Sequence, residues 1–509
     1  MGNIWLNNIM KYVLYKRMRR VRYFSQHPHE VQDALLSQFI DTNRHTQWGK
    51  IHDFRHIKNS SDFAHNVPIQ DYESLKPYIT RMMYGERDVL WTGQVKWYSK
   101  SSGTTNDKSK FIPVTIQNLK TCHLKGAWDS SALIYKERPQ SQNFAGKMLI
   151  MGGTYESFEP YPQTRFGDVS AIMINHLPSV GEFIYAPSLD IAMMPNFEEK
   201  IERMAHALIK EDMRSIGGVP TWMVVLLRRI LELTGKDNIL DVWPNLDLYL
   251  HGGVSFAPYK DTFKQLIPKD DFNYWEIYNA SEGFFATQYN YKGDDMLLLL
   301  NNGIYYEFLP ECEWYSKNPI AISLKDVEIG KNYAPVITTN SGLWRYILGD
   351  TVMFTSVMPY KIKVTGRTKQ FVNAFGEEVM VSNTDKALAD TCERMNVQVS
   401  EYTVAPIYFN ENGSKGGHEW VIEFEREPPD MEAFNNLLDS NLQRINSDYE
   451  AKRFKDMAMN RLLLRPVPRG TFHSWLKAKG KYGGQHKVPR LANNRQYVEE
   501  IIHFMGSKV

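Results

Sequence analysis

Between about residues 90 and 350, short β-rich runs alternate with longer helical patterns. That alternation leaves one main architecture open, a large α/β sheet with mainly parallel strands covered by helices. Residues 147–151 place four apolar side chains after Lys147 and end in Gly152-Gly153, residues 245–250 lead into His251-Gly252-Gly253, and residues 274–278 lead into another Gly-containing turn. Each is expected to be a buried strand. Open α/β sheets bind ligands beyond the C-terminal ends of their strands, where the loops diverge, so such turns mark where a ligand would sit. Two helices have clear ends. Asn196 is placed to cap one, with Glu199 in its first turn and Ile201, Met204, Ala205, Leu208 and Ile209 on one face. The other starts near Pro220-Thr221 and passes through Trp222, Met223, Leu226, Leu227 and Ile230 until Gly235 stops it. Apolar on much of its surface, this helix is either buried or lines an apolar pocket.

At 509 residues the chain exceeds what one hydrophobic core organises, and its pattern changes after Asp350. A strand-like run at 361–364 precedes the turn-rich Thr365-Gly366-Arg367-Thr368-Lys369. Beyond it lies an α+β tail, with strands expected at 402–409 and 419–425 and a helix over 431–445. The expected division is a large N-terminal domain, 1–368, and a small C-terminal domain, 369–509. Apolar residues at 43% and charged residues at 23% fit an ordinary globular protein rather than a disordered or membrane-embedded one. A net charge of +2 gives no support to general nucleic-acid binding. Cys122, Cys312 and Cys392 are too scattered for a disulfide framework or a zinc site, which points to a reducing, cytoplasmic setting. Residues 1–20 mix apolar and basic side chains, but Asn7, Asn8 and Lys11 interrupt any run long enough for a signal peptide or membrane span. An amphipathic helix packed on the body is expected, without stable membrane insertion; a membrane-surface helix is the alternative.

Three short segments carry the chemistry. Ser101-Ser102-Gly103-Thr104-Thr105, with Lys110 nearby, offers hydroxyls around a glycine that permits close backbone approach, which suits phosphate oxygens. The spacing is not that of a P-loop. In Tyr278-Asn279-Ala280-Ser281-Glu282-Gly283, Glu282 follows a strand at a loop edge, where a carboxylate suits Mg²⁺ beside phosphate oxygens. In Tyr346-Ile347-Leu348-Gly349-Asp350, Asp350 ends an apolar run and can accept hydrogen bonds from a ribose diol. Singly each is a common turn; together they look like an ATP site. Near the C-terminus, Lys477, Lys479, Lys481, Lys487 and Arg490 are interleaved with Gly480, Gly483 and Gly484. A mobile cationic loop of that kind can neutralise a leaving pyrophosphate, and Lys487 is the candidate catalytic lysine. Such an arrangement suits acid activation, because a carboxylic acid must exchange its poor leaving group for a phosphate or adenylate before an amine or thiol can attack.

In this order and at these separations the segments resemble the auxin-responsive promoter (Gretchen Hagen) family of acyl-acid amido synthetases, within the adenylate-forming superfamily of luciferase and acyl-CoA synthetases. The likeness extends to Gly342-Leu343-Trp344-Arg345-Tyr346 and to Gly483-Gly484-Gln485-His486-Lys487-Val488-Pro489-Arg490. The resemblance implies a ligase that adenylates a carboxylic acid with ATP and Mg²⁺ and passes the acyl group to an amine, an amino acid being the expected acceptor. AMP and pyrophosphate are released, and the small C-terminal domain swings between half-reactions. It places Ser101, Ser102, Gly103, Thr104 and Thr105 around the phosphates, and Tyr278 and Gly283 beside the adenine and acyl groups, with Ser281 in the same nucleotide-binding segment. It puts Glu282 on Mg²⁺, Asp350 on the ribose, His251, Gly252 and Gly253 on the nucleotide side, and Lys369 at the hinge. Two positions depart from the family pattern. Ile347 stands where an arginine is usual, so a cationic contact is either missing or supplied by Arg345, and Asn106-Asp107 replace glycines. Two other functions stay open: thioester formation with coenzyme A, and a nucleotide-binding protein that has lost catalysis.

Overall fold

The computed structural model describes residues 3–102, 109–254, 256, 259–314, 316–368, 371–408, 416–456, 458–479 and 488–506. The strands are β1 (Trp97–Ser102), β2 (Ser109–Val114), β3 (Lys147–Ile150), β4 (Tyr155–Ser157), β5 (Arg165–Gly167), β6 (Met213–Gly217), β7 (Leu248–His251) and β8 (Asn273–Ala280). There follow β9 (Gly283–Gln288), β10 (Met296–Leu298), β11 (Ile304–Pro310), β12 (Ile322–Ser323), β13 (Asn332–Thr339), β14 (Tyr346–Ile347), β15 (Asp350–Val357) and β16 (Tyr360–Arg367). The tail adds β17 (Phe371–Val372), β18 (Val379–Met380), β19 (Gln398–Ile407), β20 (Gly417–Arg426) and β21 (Leu463–Val467).

One large sheet runs β12-β11-β13-β15-β16-β10-β9-β8-β7-β6-β3, with β14 paired to β13. The expected helix-covered α/β sheet is present. Its parallel pairing is confined to β3, β6, β7 and β8, and from β8 to β12 neighbours run antiparallel. The cause is connection length. Helices Phe197–Leu208, Pro220–Thr234 and Lys260–Leu266 supply the crossovers that parallel strands need. Only Ser281-Glu282 separates β8 from β9, so that pair can only be a hairpin.

Local chemistry sets the helix ends. Asn196 accepts the Glu199 backbone N–H at 3.0 Å, and Ile201, Met204, Ala205 and Leu208 are buried on one face. Pro220 opens the next helix and Gly235, at φ 63°, ends it in the left-handed region that glycine enters without penalty. That helix is buried through Met223, Leu226, Leu227 and Ile230.

A second sheet, β2-β1-β5-β4, lies beside the β8–β9 turn, where Ser99 Oγ donates to Ser281 Oγ at 2.9 Å. The tail is α+β as expected. It has the hairpin β17-β18, the sheet β19-β20-β21, and helices Val381–Met395 and Met431–Ile445. One apolar cluster runs from Met151, Met204 and Leu227 across to Val372, Tyr402 and Trp420, joining the tail to the parallel half of the large sheet.

Candidate active site

Asp350 is the first residue of β15 and pairs in register with Arg367, the last residue of β16. Its two carboxylate oxygens are both held. Arg367 Nε donates to Oδ1 at 2.8 Å and Tyr278 Oη donates to Oδ2 at 2.5 Å. Arg367 also reaches the tail, donating from Nη2 to Glu378 Oε1 at 3.0 Å. Burial by itself would lower the guanidinium pKa, but Glu378, Asp350 and Glu282 hold it raised. The Tyr278 hydroxyl is raised far above its ordinary value by burial and by the neighbouring Asp350 carboxylate.

Glu282 sits in the β8–β9 turn with 8% of its surface exposed, which is unusual for a hairpin-tip acid. Burial raises its pKa, and Glu378 and Asp350 raise it further; the nearby Lys110 opposes them. Glu282, Asp350, Glu378, Arg367, Tyr278 and Lys110 therefore belong to one electrostatic cluster, drawn from β2, β8, the β8–β9 turn, β15, β16 and the tail. Three carboxylates face two cations. A carboxylate short of positive partners has the chemistry to hold a hydrated Mg²⁺, the role the resemblance assigns to Glu282. Asp350 uses two of roughly four lone-pair sites on its neighbours, leaving acceptor capacity for a diol.

The remaining expected residues fall as follows. Ser101 in β1 lies opposite Lys110, and the Ser102 backbone opposite Ser109. Gly103, Thr104, Thr105, Lys369 and Lys487 lie outside the described residues. Gly283 opens β9, and Ser281 bonds Ser99. Gly252 lies against β8 so closely that a Cβ there would stand 2.2 Å from the Ile277 carbonyl oxygen, one residue from Tyr278. The Gly253 carbonyl accepts from Asn373 Nδ2 at 3.1 Å, a second contact with the tail. His251, buried and stacked on Phe256 at 4.1 Å, is lowered to about 3 by burial and is neutral near pH 7.

Arg345 does not reach this cluster. It is buried in a bidentate pair with Glu307, 2.9 Å for each bond, and donates to the Ala64 and Val67 carbonyls. The cation beside Asp350 is Arg367. The stretch read as turn-rich from Thr365 is strand through Arg367, because β16 pairs with β15 up to that residue. Glu378 carries no sequence signal at all. His123 was also missed: buried, it meets Asn279 Oδ1 at 3.2 Å through Nδ1, and burial lowers it to about 4.

The GH3 family N-terminal domain matches residues 17–160 and 153–272, its central domain 297–367 and its C-terminal domain 382–496. The indole-3-acetic acid-amido synthetase GH3.3 of Arabidopsis thaliana is 22% identical, over 94% of this chain and 92% of that protein. The jasmonoyl–L-amino acid synthetase JAR6 of Nicotiana attenuata is 24% identical, over 94% and 93%. The solved structure of AtGH3.15 acyl acid amido synthetase in complex with 2,4-DB is similar with a TM-score of 0.61 at 17% identity, over 97% of this chain and 96% of that one. At that identity the structural likeness establishes the fold.

Proposed function

The chain belongs to the GH3 family, and from that premise we propose that the Asp350–Glu282 cluster binds ATP and directs its α-phosphorus toward an organic acid. The protein is an adenylate-forming acid–amino acid ligase. The substrate carboxylate attacks the α-phosphorus, an O–P bond forms, and the bond to pyrophosphate breaks. An amine then attacks the acyl carbon, loses a proton, and displaces AMP. The observation that carries this reading is the doubly oriented Asp350 carboxylate, with Tyr278 on one oxygen and Arg367 on the other. Such an acceptor is pre-aimed and holds a ribose diol without reorganising. Glu282 would hold Mg²⁺, which would supply positive charge to the phosphates. Ser101, Ser102, Gly103, Thr104 and Thr105 take the phosphates themselves, Tyr278, Ser281, Gly283, Gly252 and Gly253 border the nucleotide, and Lys487 neutralises the leaving pyrophosphate. Lys369 serves as hinge, the boundary lies between 368 and 369, and the tail rotates between half-reactions. Neither nucleic acid nor membrane insertion enters the catalytic cycle, and a reducing cytoplasm keeps Cys122, Cys312 and Cys392 as free thiols.

Arg367 speaks against lost catalysis, since it brings to Asp350 the positive charge that Ile347 lacks. Incubation with ATP, hydroxylamine and a library of carboxylic acids is expected to yield AMP, pyrophosphate and a hydroxamate for at least one acid. Coenzyme A and a panel of amino acids are then compared as acceptors. Formation of ADP, or nucleotide binding without acid-dependent turnover, defeats the proposal; preference for coenzyme A reassigns the second step.

A further inference from the structure

The first helix, Ile4–Gln26, packs on the body through Leu6, Met10, Leu14, Met18, Val21 and Phe24. Arg17 is tied inward, its Nε donating to the buried Asp129 at 2.5 Å. The opposite face is of another kind. Trp5, Ile9, Tyr12, Lys16, Arg19 and Tyr23 follow one another at alternating spacings of four and three residues, which sets them on a single stripe. Trp5 is 63% exposed, Tyr12 60% and Tyr23 53%. Ile4, Val13 and Tyr15 flank the stripe, so seven of the eighteen large apolar side chains exposed among the described residues stand on this one helix. Single exposed apolar residues need no explanation, but a concentration of aromatic and branched side chains on one face does.

Charge selects the partner. Lys11, Lys16, Arg19, Arg20 and Arg22 are all exposed, and no acidic residue occurs between Ile4 and Gln26. The next acid along the chain, Glu30, faces His27, and Asp129 is already shared by Arg17 and Lys125. A second copy of the chain laid against this face would oppose like charges. A nucleic acid would answer the cations but offer nothing to Ile4, Ile9 and Val13. An anionic bilayer surface takes both, aromatic and branched side chains at the acyl boundary and cations among the headgroups. No described helix is long and apolar enough to cross a membrane, so the mode is lying on the surface. We infer that the outward face of Ile4–Gln26 docks the protein peripherally on anionic phospholipid, independently of the catalytic reading.

Flotation of the full chain with vesicles of phosphatidylcholine, with and without phosphatidylglycerol, tests this. The protein is expected to float only with anionic vesicles and to be released progressively by salt. Lys16→Gln with Arg19→Gln is expected to weaken binding roughly thirtyfold, about fivefold for each cation removed. Trp5→Ser with Tyr12→Ser weakens it at constant charge. All four positions are exposed, so melting temperatures are expected to match the wild type and certify the fold. Equal binding to both vesicle types, no binding to either, or binding untouched by both variants overturns the inference. Concentration-dependent dimers abolished by the Trp5 and Tyr12 substitutions, without flotation, assign the face to a second copy instead. Retention on an oligonucleotide but not on vesicles assigns it to nucleic acid.

Discussion

Arg367 is the side chain on which the cluster's charge balance turns, since it faces Asp350 and Glu378 at once. Arg367→Gln is expected to raise the KM for ATP by about 10- to 100-fold, the scale of a lost charged hydrogen bond, with a smaller change in kcat at saturating ATP. Steady-state kinetics in ATP decide it, and an unchanged KM would remove Arg367 from the nucleotide site. Arg345→Gln behaves differently. It strands a buried Glu307 carboxylate and is expected to cost about 3–5 kcal/mol of stability, measured by urea unfolding. Glu282 has a raised pKa, so the folded protein holds its proton at pH values where the unfolded chain has released it, and stability is lost as pH rises through that window. Glu282→Gln should therefore melt higher than wild type at neutral pH while losing activity. His251 and His123 have the opposite sign. They are lowered to about 3 and about 4 from an ordinary 6.5, so their contribution is full above 6.5 and is lost as pH falls toward those values. The urea midpoint is expected to drop across that range, and a flat profile would contradict the burial of both rings.

At the scale of elements, the loop after β7 approaches β8 so closely that position 252 admits no Cβ without moving backbone. Gly252→Ala is expected to cost about 1–3 kcal/mol and to lower activity more than stability predicts, because the displaced strand carries Tyr278. Features of this local kind were readable from the text. The Asn196 cap, the Gly235 stop and the helix Met431–Ile445 each depend on neighbours within a few residues, and each stands where expected. The C-terminal ends of β7 and β8 also fall at the foreseen turns. Strand partnership was not readable. Arg367 meets Asp350 only because β15 and β16 pair in that register, and a Thr-Gly-Arg-Thr stretch looks the same in a turn or a strand. Glu378 lies only eleven residues beyond Arg367, yet nothing in its immediate neighbours announces the contact. The extent of the antiparallel half was likewise hidden, because apolar runs buried on both faces carry no mark of direction.

For the molecule as a whole, the tail touches the N-terminal part through the Arg367–Glu378 pair, the Asn373–Gly253 bond, a Lys455–Glu198 ion pair and a shared apolar cluster. A rotating tail must give up some of these contacts. With Cys312, which is exposed, replaced by serine, Glu198→Cys and Lys455→Cys joined by a short bismaleimide would hold the tail in place. The locked protein is expected to keep one half-reaction and lose the other; both persisting at wild-type rates would show that no rotation is needed. The central claim is that Asp350 and Glu282 share one nucleotide and turn its α-phosphorus toward an acid. Acid-dependent exchange between ATP and labelled pyrophosphate tests it most directly. Exchange should require a carboxylic acid and fall by about 10²–10³ in Glu282→Gln and in Asp350→Asn, with folded structure retained; exchange without acid, or at undiminished rates in both variants, would contradict it.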